Sequence, residues 1–198
     1  MRKIILVVLM TLLVAASAFA VDGVVLINQS TVTAAGGFPY VISQPGSYKL
    51  TGNLAVPMDT QAIQVNVSNV TLDLNGFSIT TPISASVFPP PAIRSNAGID
   101  SFSLRNGAIQ GFPNPISPGD ANRLWSVQDM TFLWGQPGSV GSFGLGSFAK
   151  VSRISSLDIA VNVQCPSVVT ESAMYTVNVN FINPGSGKCS FTNNAVLF

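Results

Sequence analysis

Two stretches of the chain carry the same alternation of apolar and polar positions, thirty residues apart. Ala62, Ile63, Thr71, Leu72, Leu74 and Ile79 recur without a gap as Ala92, Ile93, Ser101, Phe102, Leu104 and Ile109. The core residues of each copy are spaced by two, the period of a β-strand. A fixed repeat of strands predicts stacked turns of a β-solenoid rather than a helical array.

Apolar pairs extend the alignment. Phe102/Leu104 continue as Met130/Phe132 at an offset of 28, with Ile99 falling on Val127 and Gly107 on Gly135. Met130/Phe132 continue as Leu157/Ile159 at 27. A further turn is expected around Val177, Val179 and Phe181, and a last strand near Cys189 and Val196. Upstream, Val24-Val25-Leu26-Ile27, Tyr40-Val41-Ile42, Tyr48-Lys49-Leu50 and Leu54-Ala55-Val56 are short apolar bursts punctuated by Gly36-Gly37 and Pro45-Gly46. Pro89-Pro90-Pro91, residues 112–118 and the glycine-rich residues 136–147 read as connecting turns. The predicted fold is all-β, a single-stranded right-handed parallel β-helix of about five or six coils. Residues 21–60 form an N-terminal cap or first coil and residues 61–198 the solenoid.

The first twenty residues have a different pattern. Arg2 and Lys3 precede an apolar run broken only by Thr11, and Ala18-Phe19-Ala20 is a small-x-small cleavage site. Residues 1–20 therefore read as a signal peptide. The run is short of the roughly 20 residues a membrane span needs, so the expectation is export to the periplasm, cell surface or medium, with no transmembrane segment in the mature chain.

Loss of Arg2 and Lys3 leaves seven basic against eight acidic residues, a net charge of −1. A near-neutral surface lacks the clustered Lys and Arg that a nucleic-acid partner requires. Charged residues make up only 9% of the chain, so uncharged polar side chains must face water. Cys165 and Cys189 are the only cysteines, twenty-four residues apart, which suits a disulfide between adjacent turns in an exported chain; two buried thiols are the alternative. With no histidine and no further cysteine, neither a metal site nor a cofactor is expected.

Residues 38–50, then Asn69-Val70-Thr71-Leu72-Asp73-Leu74-Asn75-Gly76-Phe77-Ser78-Ile79 and Leu104-Arg105-Asn106-Gly107-Ala108-Ile109, resemble the opening of exported bacterial right-handed parallel β-helix proteins with a pectin-lyase-like fold. The resemblance runs over about residues 23–112. It implies that architecture and makes a polysaccharide ligand the expected partner. No catalytic motif of pectate lyases or polygalacturonases has matching positions here.

Between the core pairs, period-two alternation places Thr71-Asp73-Asn75, Ser101-Ser103-Arg105, Asp129-Thr131-Leu133 and Ser156-Asp158-Ala160 on the outer face. Asp129 and Asp158, one coil and one column apart, would stand about 8 Å from one another, inside the range for an inverting carboxylate pair, with Arg105 on the neighbouring coil. Asp73, Asn75, Arg105 and Trp125 are candidate ligand contacts, whereas Trp134 has core parity. Asn75-Gly76 and Asn106-Gly107 read as coil corners. Gly144 to Ala149 imitates a dinucleotide fingerprint but lacks its strand and helix, and reads as a turn. Asn28, Asn66 and Asn69 are formal glycosylation acceptors without assigned roles.

The function expected from these features is a non-catalytic exported scaffold that binds polysaccharide. One alternative is a polysaccharide hydrolase or lyase using Asp129 and Asp158 with Arg105 assisting. Another is a surface protein that self-associates end to end, because the C-terminal strand carries no evident cap.

Overall fold

The computed structural model describes residues 23–84, 86, 89–119, 123–135, 141–175, 179–182 and 187–197. In chain order they form β1 (Val24–Ile27), α1 (Gln29–Ala34), β2 (Tyr40–Ile42), β3 (Gly46–Leu50), β4 (Leu54–Ala55), β5 (Ile63–Val65), β6 (Val70–Asp73), β7 (Ser78–Thr80), β8 (Ile93–Ser95) and β9 (Phe102–Gln110). There follow β10 (Ile116–Ser117), β11 (Ser126–Leu133), β12 (Gly141–Leu145), β13 (Lys150–Leu157), β14 (Ile159–Gln164), β15 (Val168–Thr170), β16 (Ala173–Tyr175), β17 (Val179–Ile182), β18 (Ser190–Thr192) and β19 (Ala195–Leu197).

All strand pairings among these elements are parallel. A 12-stranded sheet follows β1-β3-β6-β9-β11-β13-β15-β18, with β7 joining β4 to β9, and β16 joining β19 to β13. A 4-stranded sheet runs β10-β8-β5-β2 and a 3-stranded sheet β12-β14-β17. The chain leaves the large sheet through a smaller one and returns to it beside its previous strand. Parallel neighbours ordinarily need a crossover helix; here strands of another sheet do that work, an arrangement consistent with a β-solenoid.

The register shows what holds the stack together. Val25, Tyr48, Leu72, Leu104, Val127, Val151, Val169 and Phe191 are successive partners in one inward column. Its interior members from Leu72 to Val169 are fully buried, whereas Val25 at one end is 42% exposed and Phe191 at the other 38%. Each added rung buries the apolar face of the one before it, the nearest-neighbour stabilisation of a solenoid.

The thirty-residue repeat holds where Ile63 meets Ile93 and Ile79 meets Ile109. Between those points Leu72 pairs with Leu104, an offset of 32. The next corner compensates, since four residues separate Asp73 from Ser78 but two separate Arg105 from Ala108. Gly107 makes the tighter corner possible: a Cβ there would lie 2.4 Å from Leu74 Cβ and 2.5 Å from the Phe77 carbonyl oxygen.

Downstream, the offsets of 28 and 27 are not the pairing register. Leu104 pairs with Val127 at 23 and Met130 with Ile154 at 24, so Gly107 faces Met130 rather than aligning with Gly135. Leu157 points outward at 41% exposure, and Ile159 lies in the 3-stranded sheet opposite Gly141. The cause is a left-handed residue inside each rung: Asn106 (φ 62°), Asp129 (53°), Arg153 (51°), Glu171 (53°) and Asn193 (55°) occupy one level of the stack. Each puts an extra residue between two inward positions, as Gln128 and Asp129 do between Val127 and Met130, and this breaks strict alternation.

Three elements differ from the sequence expectation. A capping box begins α1 inside a region expected to hold strands and turns alone: Asn28 Oδ1 accepts from the Thr31 N–H at 3.0 Å while Thr31 Oγ1 accepts from the Asn28 N–H at 2.8 Å. The expected turn over residues 136–147 contains β12, whose Phe143 and Leu145 are buried. Gly141 at an inward position and Gly144 at an outward one hid the strand by leaving a gap in each parity of the alternation. Gly144 is thus a strand residue rather than part of a turn. Within the expected turn at residues 112–118, β10 is a two-residue strand at the end of its sheet. Val177, in the further turn expected there, lies outside the described residues.

Cys165 and Cys189 are joined by a disulfide with their Cα atoms 5.1 Å apart, consistent with export. No helix among the described residues is long and apolar enough to cross a membrane.

Candidate functional site

The left-handed edge gathers most of the paired charge. On one rung interface, Arg105 Nε donates to Asp73 Oδ2 at 3.1 Å, and Asn106 Nδ2 donates to Asp73 Oδ1 at 3.3 Å. Asn75 belongs to the same corner: its N–H donates to Asp73 Oδ1 at 2.7 Å and its Nδ2 to the Leu50 carbonyl at 3.2 Å. Asp73 is therefore surrounded by donors, and Asn75, left-handed at φ 53°, completes the turn the Asn-Gly pair predicts.

Further along the edge, Arg153 Nε and Nη2 donate to the two oxygens of Asp129 at 2.5 and 2.8 Å. Arg153 Nη1 also lies 3.7 Å from Glu171 Oε2. The hydrogen bond from Arg153, and then its charge, hold the Asp129 carboxyl below the usual carboxylate range.

Asp129 and Asp158 do not form the adjacent pair that the 27-residue offset implied. Leu133 faces Leu157, which puts Asp158 level with Trp134, five positions along from Asp129. That separation is on the order of 15 Å. Asp158 sits left-handed at the break between β13 and β14, where its carbonyl accepts from the Gly141 N–H at 2.8 Å. Arg105 belongs to the Asp73 corner.

Trp125 is buried at 1% exposure, its ring centroid 4.5 Å from that of Phe102 and its Nε1 donating to the Ile99 carbonyl at 3.2 Å. Trp134 is 4% exposed at the floor of an open, mainly apolar cleft of about 720 Å³ rimmed by Pro57, Thr80, Ile83 and Gln110. Neither indole offers a sugar a free face.

A polar groove of about 480 Å³ lies on the 4-stranded sheet, lined by Gln64, Arg94, Asn96, Ser117 and Gly119. Gln64, Arg94 and Ser117 are consecutive partners in one outward column. Gln61 Nε2 donates to Gln64 Oε1 at 2.9 Å, and Gln64 Nε2 donates across the rung to Asn96 Oδ1 at 3.1 Å. This relay fixes two amide planes along the groove. Arg94 is exposed and has no hydrogen-bond or ion-pair partner among the described residues.

Sequence reasoning missed Arg94 although its signal was present, since it falls thirty residues after Gln64 between the inward Ile93 and Ser95. Arg153 carried no comparable signal, because its level depends on the 24-residue register.

No protein-family model matches the chain, and no curated protein matches it. Among solved structures, a protein from Parabacteroides merdae described as a "putative glycosyl hydrolase" is similar at 11% identity with a TM-score of 0.34, covering 88% of this chain and 92% of that one. So loose a superposition bears on neither the chemistry nor the ligand of this chain.

Proposed function

We propose that the chain is an exported, non-catalytic scaffold, a right-handed parallel β-helix that binds polysaccharide along the groove of Gln64, Arg94, Asn96 and Ser117. The observation that carries this reading is the groove's ionisable content: among its described lining residues, Arg94 is the only titratable side chain. A guanidinium stays charged throughout the physiological range and transfers no proton. Planar amides and a guanidinium donate to sugar hydroxyls, and the guanidinium pairs with a carboxylate.

The enzyme alternative would need a carboxylic acid kept protonated near neutrality. Arg153 pushes Asp129 the other way. Asp158 stands five positions from Asp129 along the rung.

The test is affinity electrophoresis of the processed chain through gels cast with neutral and acidic polysaccharides, together with an assay for new reducing ends and unsaturated products. At least one polysaccharide should retard the chain, Arg94→Ala should abolish the retardation, and no products should form. Product release, or free migration in every gel, overturns the reading.

A second reading, end-to-end association, is favoured by the unfinished last rung. Among the described residues, β17 and β19 each pair with a single strand and leave one backbone edge unpaired. Static light scattering that stays at the monomer mass at high concentration would exclude it.

A further inference from the structure

One corner of the stack brings the exposed apolar side chains Leu124, Phe148 and Val168 together. The outward column leading to it reads Val24, Ser47, Thr71, Ser103, Ser126, Lys150, Val168 and Ser190. Hydroxyls give way to a lysine and a valine on two neighbouring rungs, with Val168 42% exposed. Beside this break Leu124 and Phe148 occupy one level of adjacent rungs, both left-handed at φ 58° and 60°, with 57% and 54% of their surfaces exposed. The same level holds Asn69 and Ser101 on earlier rungs.

Left-handed backbone is a genuine outlier for bulky residues such as Leu and Phe, and asparagine tolerates it far better. Large apolar side chains held there in water point to a functional constraint. Together with Pro166 and Val168 they border an open groove of about 460 Å³.

Charge completes the surface. Lys150 and Lys188 line the groove, and Arg123 directly precedes Leu124. None of these three cations has an acidic side-chain partner among the described residues. Among the described residues Asp100 is the nearby acid, accepting from the Arg123 N–H at 3.0 Å, so three positive charges face one negative there.

We propose that this corner is a membrane-contact surface that docks the protein on an anionic phospholipid bilayer. Leu124, Phe148 and Val168 enter the boundary between headgroups and acyl chains, while Arg123, Lys150 and Lys188 meet lipid phosphates. Protruding apolar side chains ringed by cations are the chemistry of interfacial binding. A second copy of the chain fits less well, because its acids Asp73, Asp129 and Glu171 already face its own arginines.

The experiment is co-sedimentation of the processed chain, its N-terminus read by mass spectrometry, with vesicles of phosphatidylcholine alone or mixed with phosphatidylglycerol. The mixed vesicles should carry the chain down and the neutral ones should not, and high salt should weaken the binding. The double variant Leu124→Asn/Phe148→Asn, chosen because asparagine suits the backbone, should lower the bound fraction about tenfold. Lys150→Gln/Lys188→Gln should lower it comparably, with far-UV circular dichroism unchanged in both. Equal binding to neutral vesicles, no binding to either, or equal binding by the variants overturns the proposal. So does concentration-dependent association that Phe148→Asn abolishes without any vesicle binding, which would assign the patch to a second copy.

Discussion

Asp129 and Arg153, each in the left-handed conformation, face one another on adjacent rungs through two hydrogen bonds of 2.5 and 2.8 Å. Their backbone strain and their charge pairing fall at the same level of the stack. Both side chains are about half exposed, so solvent screens the pair and its contribution to stability is small.

A double-mutant cycle of Asp129→Asn and Arg153→Gln should give a small favourable coupling at neutral pH, read by chemical denaturation. Because the Asp129 pKa is depressed in the folded chain, its contribution is present above the unfolded value of about 4 and is lost as pH falls through the lower folded value. The coupling should therefore fade in acid, and a coupling that grows on acidification would contradict this account.

Ser156 interrupts an inward column otherwise filled by Leu54, Ile79, Ile109 and Phe132, and its Oγ is buried without a hydrogen-bond partner. Burying an unpaired hydroxyl costs about 1–3 kcal/mol. Ser156→Ala should raise the denaturation midpoint, and a lower midpoint would show that the hydroxyl is satisfied in solution.

Leu104 is fully buried between Leu72 and Val127. Leu104→Ala should cost about 2–5 kcal/mol, measured as a fall in unfolding free energy. A loss below about 1 kcal/mol would mean that the column is not tightly packed there.

Tyr48 is buried, with its hydroxyl donating to the Gln44 carbonyl at 2.7 Å. Burial, then the nearby Tyr40, raises its pKa. The fold keeps that proton, so its stabilising contribution is complete below about pH 10 and is lost as pH rises through the higher folded value. Tyr48→Phe should flatten the alkaline end of the stability profile; an unchanged profile would remove Tyr48 as the cause.

The disulfide closes a loop between residues twenty-four apart. Removing such a link typically costs about 3 kcal/mol. Cys165→Ser/Cys189→Ser should lose that much, with hydrogen exchange rising first in β14, β15 and β18.

The sequence made the strand period and the thirty-residue repeat legible because both rest on inward apolar side chains, as at Ile63 and Ile93. It did not make the later register legible. There, left-handed Asp129 and Arg153 shift parity by one residue; Asp is merely enriched in that conformation, and nothing in an Arg marks it. An apolar pair such as Leu157/Ile159 then imitates the core, although Ser156 takes the inward position. The candidate site was obscured for the same reason: Asp129 and Asp158 became neighbours only in a misaligned ladder. Arg94 was accessible through the repeat, but a lone guanidinium between two amides shows as a groove only once the sheet brings Gln64 and Asn96 beside it.

The column that ends on exposed Val25 and Phe191 is self-similar along its length, each step repeating the contacts of the last. Its length is therefore free to change by whole units of sequence. Duplicating residues 127–150, the 24-residue step from Val127 to Val151, would insert one more layer with its inward positions and left-handed residue in phase, while setting the copied Asp129 against Asp129 itself. Successive steps of the column already differ, 24 residues from Tyr48 to Leu72, 32 from Leu72 to Leu104 and 18 from Val151 to Val169, because the connecting turns absorb the difference, so the protein can grow or shrink by whole layers of unequal length.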